Sequence, residues 1–117
     1  MTADSYYSLG ATQRSLGNLD AALDSKQHAL NIRLKLFGEE HANTADSYHN
    51  LGTTQHSLGN FNAALDSKQH ALDICLKLFG RDHACTAVSF LSLLTTRFSL
   101  TIAALDSLRH TFRKSTF

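Results

Sequence analysis

The chain has 117 residues and a formal net charge of +1, which suits one domain with a single modest core. Its charges nearly balance and form no basic run, which excludes a strong electrostatic footprint for nucleic acid or an anionic membrane surface. The opening residues, MTADSYYSLG, lack the features of a signal peptide, and no apolar run approaches the roughly 18 residues of a membrane span. We therefore expect a soluble, cytoplasmic protein.

The chain repeats itself with a period of about 42 residues. Residues 2–43 and 44–85 align without a gap and are roughly three-quarters identical. A third repeat begins at Thr86, but Thr101-Ile102 replaces the Gly-Asn turn and the two residues after it, which are Gly17 to Asp20 in the first repeat. We predict one domain, residues 1–117, with repeats at about 2–43, 44–85 and 86–117, the last one shortened and divergent.

The first element of each repeat is predicted to be a helix. Its stripe has apolar residues three or four positions apart, with a glutamine interrupting it. In the first repeat the stripe consists of Tyr6, Leu9, Gln13 and Leu16. Gly17 then supplies a left-handed position that ends the helix, and Asn18 an N-cap for the next one.

The second element is predicted to be a longer helix that ends at Gly38. Residues 32–36 alternate like a strand, but nothing between Asn18 and Gly38 breaks a helix, so the length favours helix. After the glycine, Asn43 is the predicted N-cap of the next helix, with Asp46 in its first turn. The recurring string LKLFGEEHANTADSY is therefore interpreted as the joint between two repeats.

Neither helix of a repeat can bury its apolar stripe alone, so the repeats must stack into an all-α solenoid. The third repeat departs from the others because Leu94 stands where Gly10 and Gly52 allow close helix packing, so its helices are expected to be skewed or fused. Its last stripe would normally be covered by another helix; it consists of Leu105, Leu108 and Phe112. The chain is then either part of a longer array or pairs with another copy through this end.

These motifs resemble the tetratricopeptide repeat. The pattern Tyr6-x-x-Leu9-Gly10, Gly17-Asn18-Leu19-x-x-Ala22 and Ala29-Leu30 is similar to its signature, and the ending Ile-x-x-x-x-Phe-Gly-x-x-His to its long variety in kinesin light chains and nephrocystin-like proteins. The resemblance implies an alpha-alpha superhelix of about three helix-turn-helix repeats, whose first helices line a concave groove for peptides or partner proteins. This chain has His41-Ala42 where the long variety commonly has His-Pro, and Lys26 and Lys68 in a slot that is often aromatic.

The resemblance also implies which residues line the groove. Asn50 is the strongest single prediction, because its amide can pair with both a donor and an acceptor of a peptide backbone. For any one of these positions, an ordinary solvated face is an equal alternative. The predicted partner-binding residues are Asp4, Tyr7, Ser8, Arg14, Asp46, His49, Asn50, Thr53, His56, Leu91, Thr95 and Phe98, with Ala11, Ser15, Ser57 and Ser92 beside them.

The histidines and cysteines carry no predicted chemistry. His49 and His56 share a helix face but lie about 10 Å apart by helical rise, too far for one metal ion without further ligands. They leave open a groove that responds to mildly acidic pH. The other histidines recur at the repeat period, which indicates packing or capping. Cys75 and Cys85 are too few and too irregularly spaced to predict a disulfide framework or a zinc site, which fits a reducing compartment.

No catalytic triad, phosphate loop or zinc-protease helix is present in the sequence. We therefore predict a protein-protein interaction scaffold without enzymatic activity, metal or cofactor, whose partner is a protein or peptide rather than nucleic acid or a membrane. A structural module that forms a homo-oligomer through its apolar C-terminal end is the alternative. An enzyme that uses the histidines stands well behind both.

Overall fold

The computed structural model describes residues 2–115, and this part of the chain is all α-helical. Each helix packs against the next along the chain, which gives an elongated body of 58 × 34 × 20 Å. The predicted all-α solenoid is confirmed. Its helices are α1 (Ala3–Ser15), α2 (Leu19–Phe37), α3 (Ala42–Ser57), α4 (Phe61–Phe79) and α5 (Ala84–Ser115).

The turn within a repeat forms as the sequence predicts. Gly17 has a φ of 81°, a left-handed conformation that other residues rarely adopt. The Asn18 side chain then accepts a hydrogen bond from the backbone N–H of Ala21 at 3.4 Å, which caps α2. The helices of the pair lie close together, since a Cβ at Gly10 would meet Lys26 Cγ at 3.1 Å.

The joint between repeats is held by residues that recur in both copies of the string. The Thr44 hydroxyl donates to the Gly38 carbonyl at 2.7 Å, and the His41 ring stacks on Phe37 with centroids 4.3 Å apart. His41 Nδ1 accepts from the backbone N–H of Asn43 at 3.0 Å, so His41 is the N-cap of α3. The predicted N-cap at Asn43 is therefore wrong, because the imidazole reaches the free N–H two residues later. Thr86, His83 and Phe79 form the second joint in the same way.

The interface between the helices is built largely from small side chains. Ala22, Ala64, Thr44, Thr54 and Thr96 are fully buried. Small residues let the helix backbones approach closely, and the three buried threonine hydroxyls all have hydrogen-bond partners. The glutamine in each first-helix stripe also finds a polar partner, since Gln13 accepts from Ser25 and Gln55 from Ser67, each at 2.7 Å.

Two of the recurring histidines support the packing of helix pairs. His28 stacks on Tyr6 with ring centroids 4.9 Å apart, and its Nδ1 lies 2.8 Å from the Asp24 carbonyl. His70 stacks on Tyr48 in the same way, at 4.7 Å. These positions have the structural role that their recurrence at the repeat period predicts.

The third repeat is one continuous helix. Of the two expected arrangements, skewed or fused, the structure shows the fused one, because Thr101 and Ile102 can lie inside a helix whereas the Gly-Asn pair ends one.

α5 also corrects an expectation about membranes. Between Ala84 and Lys114 it is long and apolar enough to cross one, with a mean hydropathy of 1.5 in its most apolar window. The expectation counted uninterrupted apolar residues. Serine and threonine residues interrupt the apolar run without greatly lowering its mean hydropathy.

The two cysteines form a disulfide that links α4 to the start of α5, with Cα atoms 5.8 Å apart. No disulfide framework was predicted from these two cysteines, and the bond corrects that interpretation. Their spacing along the chain is uninformative, but the joint brings their two positions together in both repeats. In the first joint these positions are Arg33 and Asn43, and Arg33 Nη1 donates to the Asn43 carbonyl at 3.2 Å. Disulfides persist in oxidising compartments, so this bond weighs against the expected reducing environment.

Candidate functional site

The faces of α1, α3 and α5 that the repeat pattern assigns to the groove carry two cavities. The first, which we call the polar furrow, has a volume of about 340 Å³ and lies between α1 and α3 above Lys26 of α2. It is lined by Tyr7, Ala11, Arg14, Ser15, Lys26 and Asn50. The second, the apolar furrow, has a volume of about 390 Å³ and lies between the starts of α3 and α5. It is lined by Ala42, Ala45, Asp46, His49, Phe79, His83, Ala84, Cys85 and Val88.

Arg33 of α2 links the first helices of two repeats beside the polar furrow. Its side chain is buried and donates to Asp4 at 3.2 Å, to Asp46 at 3.4 Å and to the Ser47 hydroxyl at 2.8 Å. Its guanidinium carbon also lies 5.9 Å from the centre of the Tyr7 ring. The carboxylates of Asp4 and Asp46 are therefore already paired with a cation of the protein.

Lys26 is the most unusual group of the polar furrow. Its residue is only 4% exposed, and within residues 2–115 it makes no hydrogen bond or ion pair. Burial lowers its pKa, and the nearby Arg14 charge lowers it further, against a smaller opposite effect of Asp46. Its counterpart Lys68 is equally buried but donates to the Thr96 hydroxyl and the Ser92 carbonyl.

The two groove histidines lie in different surroundings. His56 Nδ1 is hydrogen-bonded to the Thr96 hydroxyl at 2.8 Å, and its ring meets Phe61 edge-on. His49 Nδ1 is buried without a hydrogen-bond partner among the described residues. Burial lowers the pKa of both histidines, and the Lys68 charge lowers each further; for His49, Asp46 acts in the opposite direction and Lys26 adds a small decrease.

These pKa shifts predict that acidification destabilises the fold. Below the ordinary histidine pKa of 6.5, the unfolded chain binds protons that the folded chain still excludes. The free energy of unfolding should therefore be at its full value above pH 6.5 and fall as the pH drops toward the lowered values. Urea denaturation across this range measures the slope. The variant His49→Leu/His56→Phe, which introduces the third-repeat residues, should have a smaller slope, and an unchanged slope would contradict the assignment.

The remaining predicted groove residues lie outside the two furrows. The hydroxyls of Thr53 and Thr95 donate to carbonyls of their own helices, at 3.0 and 2.9 Å. Ser8 is exposed, and Leu91 and Phe98 are exposed by 62% and 66% on α5. The predicted residues that line a furrow together are Tyr7, Arg14 and Asn50 in the polar one and Asp46 and His49 in the apolar one. Asn50, the strongest prediction, also donates to Asp46 at 3.3 Å.

Several residues in the furrows or beside them were not predicted. Lys26 and Arg33 belong to second helices, yet both reach between the first helices of neighbouring repeats. Val88 was missed although it stands one repeat period after Asp46, a signal that the sequence already contains. Extending every groove position by one period would have found it.

No group of three or more potential metal-ligating side chains occurs within residues 2–115. A search of curated proteins finds no match to this chain. The family model described as "Tetratricopeptide repeat" matches residues 1–77, about two-thirds of the sequence. Repeats of this kind form non-catalytic scaffolds that generally mediate protein-protein interaction. With its stacked helix pairs, recurring joints and matched family model, the chain belongs to the tetratricopeptide repeat family.

Proposed function

We propose that this protein binds an acidic segment of a partner protein in the concave groove, with the polar furrow as the principal contact. The observation that supports this most is Lys26, whose residue is 4% exposed and whose ammonium has no acceptor among the described residues, although Lys68 has two. A charge that is largely removed from water and has no partner is unfavourable. A carboxylate from a ligand would offset that cost and form a charge-assisted hydrogen bond.

The surroundings of Lys26 suit a carboxylate more than any other common peptide group. Arg14 adds a second positive charge to the same cavity, and the Asn50 amide, which donates to Asp46, also lines it. The carboxylates of Asp4 and Asp46 are paired with Arg33 and so compete less for these cations. The apolar furrow begins on the same helix, α3, so an apolar ligand residue next to the acidic one would find Phe79 and Val88.

Replacing Lys26 by methionine should abolish most of the binding. The Lys26→Met variant keeps the buried aliphatic stem and removes only the charge. A hydrogen bond to a charged group contributes about 1.5–3 kcal/mol, so the affinity should fall by about tenfold or more. A library of short synthetic peptides, each acidic member paired with its Asn/Gln analogue, would be screened by fluorescence anisotropy to measure this loss.

Lys68→Met is the matched control, because Lys68 occupies the same position in the second repeat and already has partners. Its affinity for the selected peptides should stay within about twofold of the parent chain, since the change removes no group of the polar furrow. Equal losses in both variants, or no preference of the parent chain for acidic over amide peptides, would contradict the proposed site.

We further propose that the chain belongs to the long variety of the family that kinesin light chains and nephrocystin-like proteins contain, because its period is about 42 residues. We keep the cytoplasm as its proposed location, although the disulfide weighs against it. We also propose that it has no catalytic activity. Among residues 2–115, no nucleophile paired with a base and an orienting group lines the two furrows.

Self-association is a second candidate function, and the apolar surface of α5 favours it. Leu91, Phe98, Leu105 and Leu108 are each more than half exposed. A contiguous apolar surface of this kind commonly marks an interface. Sedimentation equilibrium over a wide concentration range tests this function, and a strictly monomeric species would contradict it.

A further inference from the structure

We propose that two copies of the chain pair through α5 in antiparallel orientation, so that each α5 supplies the second helix that the other copy's third repeat lacks. The proposal rests on self-association through the C-terminal end and names its geometry. It is carried by two features of α5, namely its relation to the earlier helix pairs and the spacing of its exposed apolar residues.

α5 is a helix pair that has been joined into one rod. Residues 86–100 correspond to residues 44–58 of the second repeat, and residues 103–112 (AALDSLRHTF) correspond to residues 63–72 (AALDSKQHAL) of α4. In α4, Ala64, Ser67 and Lys68 are buried. Their counterparts Ala104, Ser107 and Leu108 are exposed. The face that packs in the second repeat is therefore uncovered in the third, because α5 does not turn back on itself.

The exposed apolar residues of α5 follow a heptad pattern. Two rows of positions recur every seven residues along the helix. One row consists of Leu91, Phe98 and Leu105, and the other, three residues further on, consists of Leu94, Thr101 and Leu108. The five apolar members are between 45% and 66% exposed. Two interleaved rows at this spacing form the seam through which helices pair in coiled coils. The seam extends across Thr101, which lies at its middle.

The repeat relation and the heptad seam give the same alignment. In the second repeat, a Cβ on Gly52 would meet Lys68 Cγ at 2.8 Å, so these positions face each other. Their counterparts in the third repeat are Leu94 and Leu108. If the partner's second half takes the place of the missing helix, Leu94 faces the partner's Leu108. That alignment also places Thr101 on the two-fold axis and brings Phe98 within one residue of the position opposite the partner's Leu105.

The change of residue type at these positions agrees with pairing between copies. A leucine cannot fit at the close approach that Gly52 makes with its own second helix. Two leucines instead suit the wider separation of about 8–10 Å that is usual between packed helices. The third repeat has thus exchanged a glycine and a lysine for an apolar pair.

Charge favours the antiparallel over the parallel arrangement. Arg109, Arg113 and Lys114 lie near the C-terminal end of α5. A parallel pair would bring both clusters together, whereas an antiparallel pair places them at opposite ends. A lipid surface is the less favoured occupant, because Thr86, Ser89 and Thr96 of the first half of α5 are buried in the repeat stack.

Sedimentation equilibrium of the full chain tests the pairing. We expect a concentration-dependent dimer that becomes monomeric in Leu108→Asp and persists in Leu36→Asp. Leu36 is 69% exposed on α2, outside the seam, so it controls for a general effect of a new charge. A monomer at every concentration, or a dimer that survives Leu108→Asp, would overturn both the proposal and self-association through this end.

Disulfide trapping tests the alignment separately from the self-association. Chains with the single change Leu94→Cys are mixed with chains that carry only Leu108→Cys. The mixture is mildly oxidised, and the new disulfide links are mapped by mass spectrometry. We expect the mixed link between positions 94 and 108 to dominate. Links only between identical positions in a stable dimer would indicate a parallel pair and overturn the proposal while self-association stands. A monomer that co-sediments with phosphatidylcholine vesicles through α5 would overturn it in favour of a lipid surface.

Discussion

Replacing Gly52 by leucine is expected to lower the free energy of unfolding by about 1–2 kcal/mol. A Cβ at this position would lie 2.8 Å from Lys68 Cγ and 3.3 Å from the Ala64 carbonyl oxygen, so α3 and α4 must move apart. Overpacking of a dense interface costs about 1–3 kcal/mol and occasionally more. The better helix propensity of leucine, worth about 0.8 kcal/mol, offsets only part of this cost. Urea denaturation followed by circular dichroism measures the difference.

Ser57→Leu is the matched control for this change. It introduces the same side chain on an exposed turn of the same helix, so its effect should stay within about 0.5 kcal/mol. The third repeat already contains leucine at the position of Gly52, and there no second helix of residues 2–115 packs against it. Equal stabilities of Gly52→Leu and Ser57→Leu would show that the close approach does not limit the packing of α3 on α4.

Removing the disulfide in Cys75→Ala/Cys85→Ala is expected to lower the stability by about 2–3 kcal/mol. The bond closes a loop with a sequence separation of 10 and anchors α5 to α4. The cysteines stand at the positions of Arg33 and Asn43, so a covalent bond takes the place of the polar network of the first joint. Thermal denaturation with and without a reductant measures this contribution, and the parent chain should lose as much in the reductant.

Transferring the first joint to the second should restore the stability without a disulfide. The variant Cys75→Arg/Cys85→Asn/Val88→Asp introduces the residues that stand at the equivalent positions of the first joint, namely Arg33, Asn43 and Asp46. Ser89 already matches Ser47, which accepts from Arg33. We expect a melting temperature above that of the double alanine variant and no response to the reductant. If reduction leaves the parent chain unchanged, the disulfide does not stabilise the joint.

Much of the fold could be predicted because each local sequence pattern occurs in two nearly identical repeats, so one copy checks the interpretation of the other. The glycine turns and the structural histidines follow from residues that recur in equivalent surroundings. The N-cap at His41 was missed because an imidazole is not a usual capping side chain, although it reaches the N–H of Asn43. The disulfide was missed because sequence spacing says nothing about a contact that only the joint creates.

The groove was predicted less completely, for a physical reason. Family resemblance assigns binding residues to the first helices, but the long side chains of Lys26 and Arg33 reach the groove from a second helix. Whether such a lysine is satisfied depends on its neighbours in three dimensions. The sequence shows Lys26 and Lys68 as equivalent positions. Only the structure shows that Lys68 has two acceptors, whereas Lys26 has none within residues 2–115.

An NMR titration with an acidic peptide selected from the library tests the proposed binding site most directly. Backbone amide and lysine ammonium signals would be followed while the peptide, or its amide analogue, is added to the ¹⁵N-labelled chain. The account predicts that the acidic peptide shifts the signals of Lys26, Arg14 and Asn50 and raises the pKa of Lys26, while the analogue has little effect. Shifts confined to the outer faces of α2 and α4, or equal responses to both peptides, would contradict it.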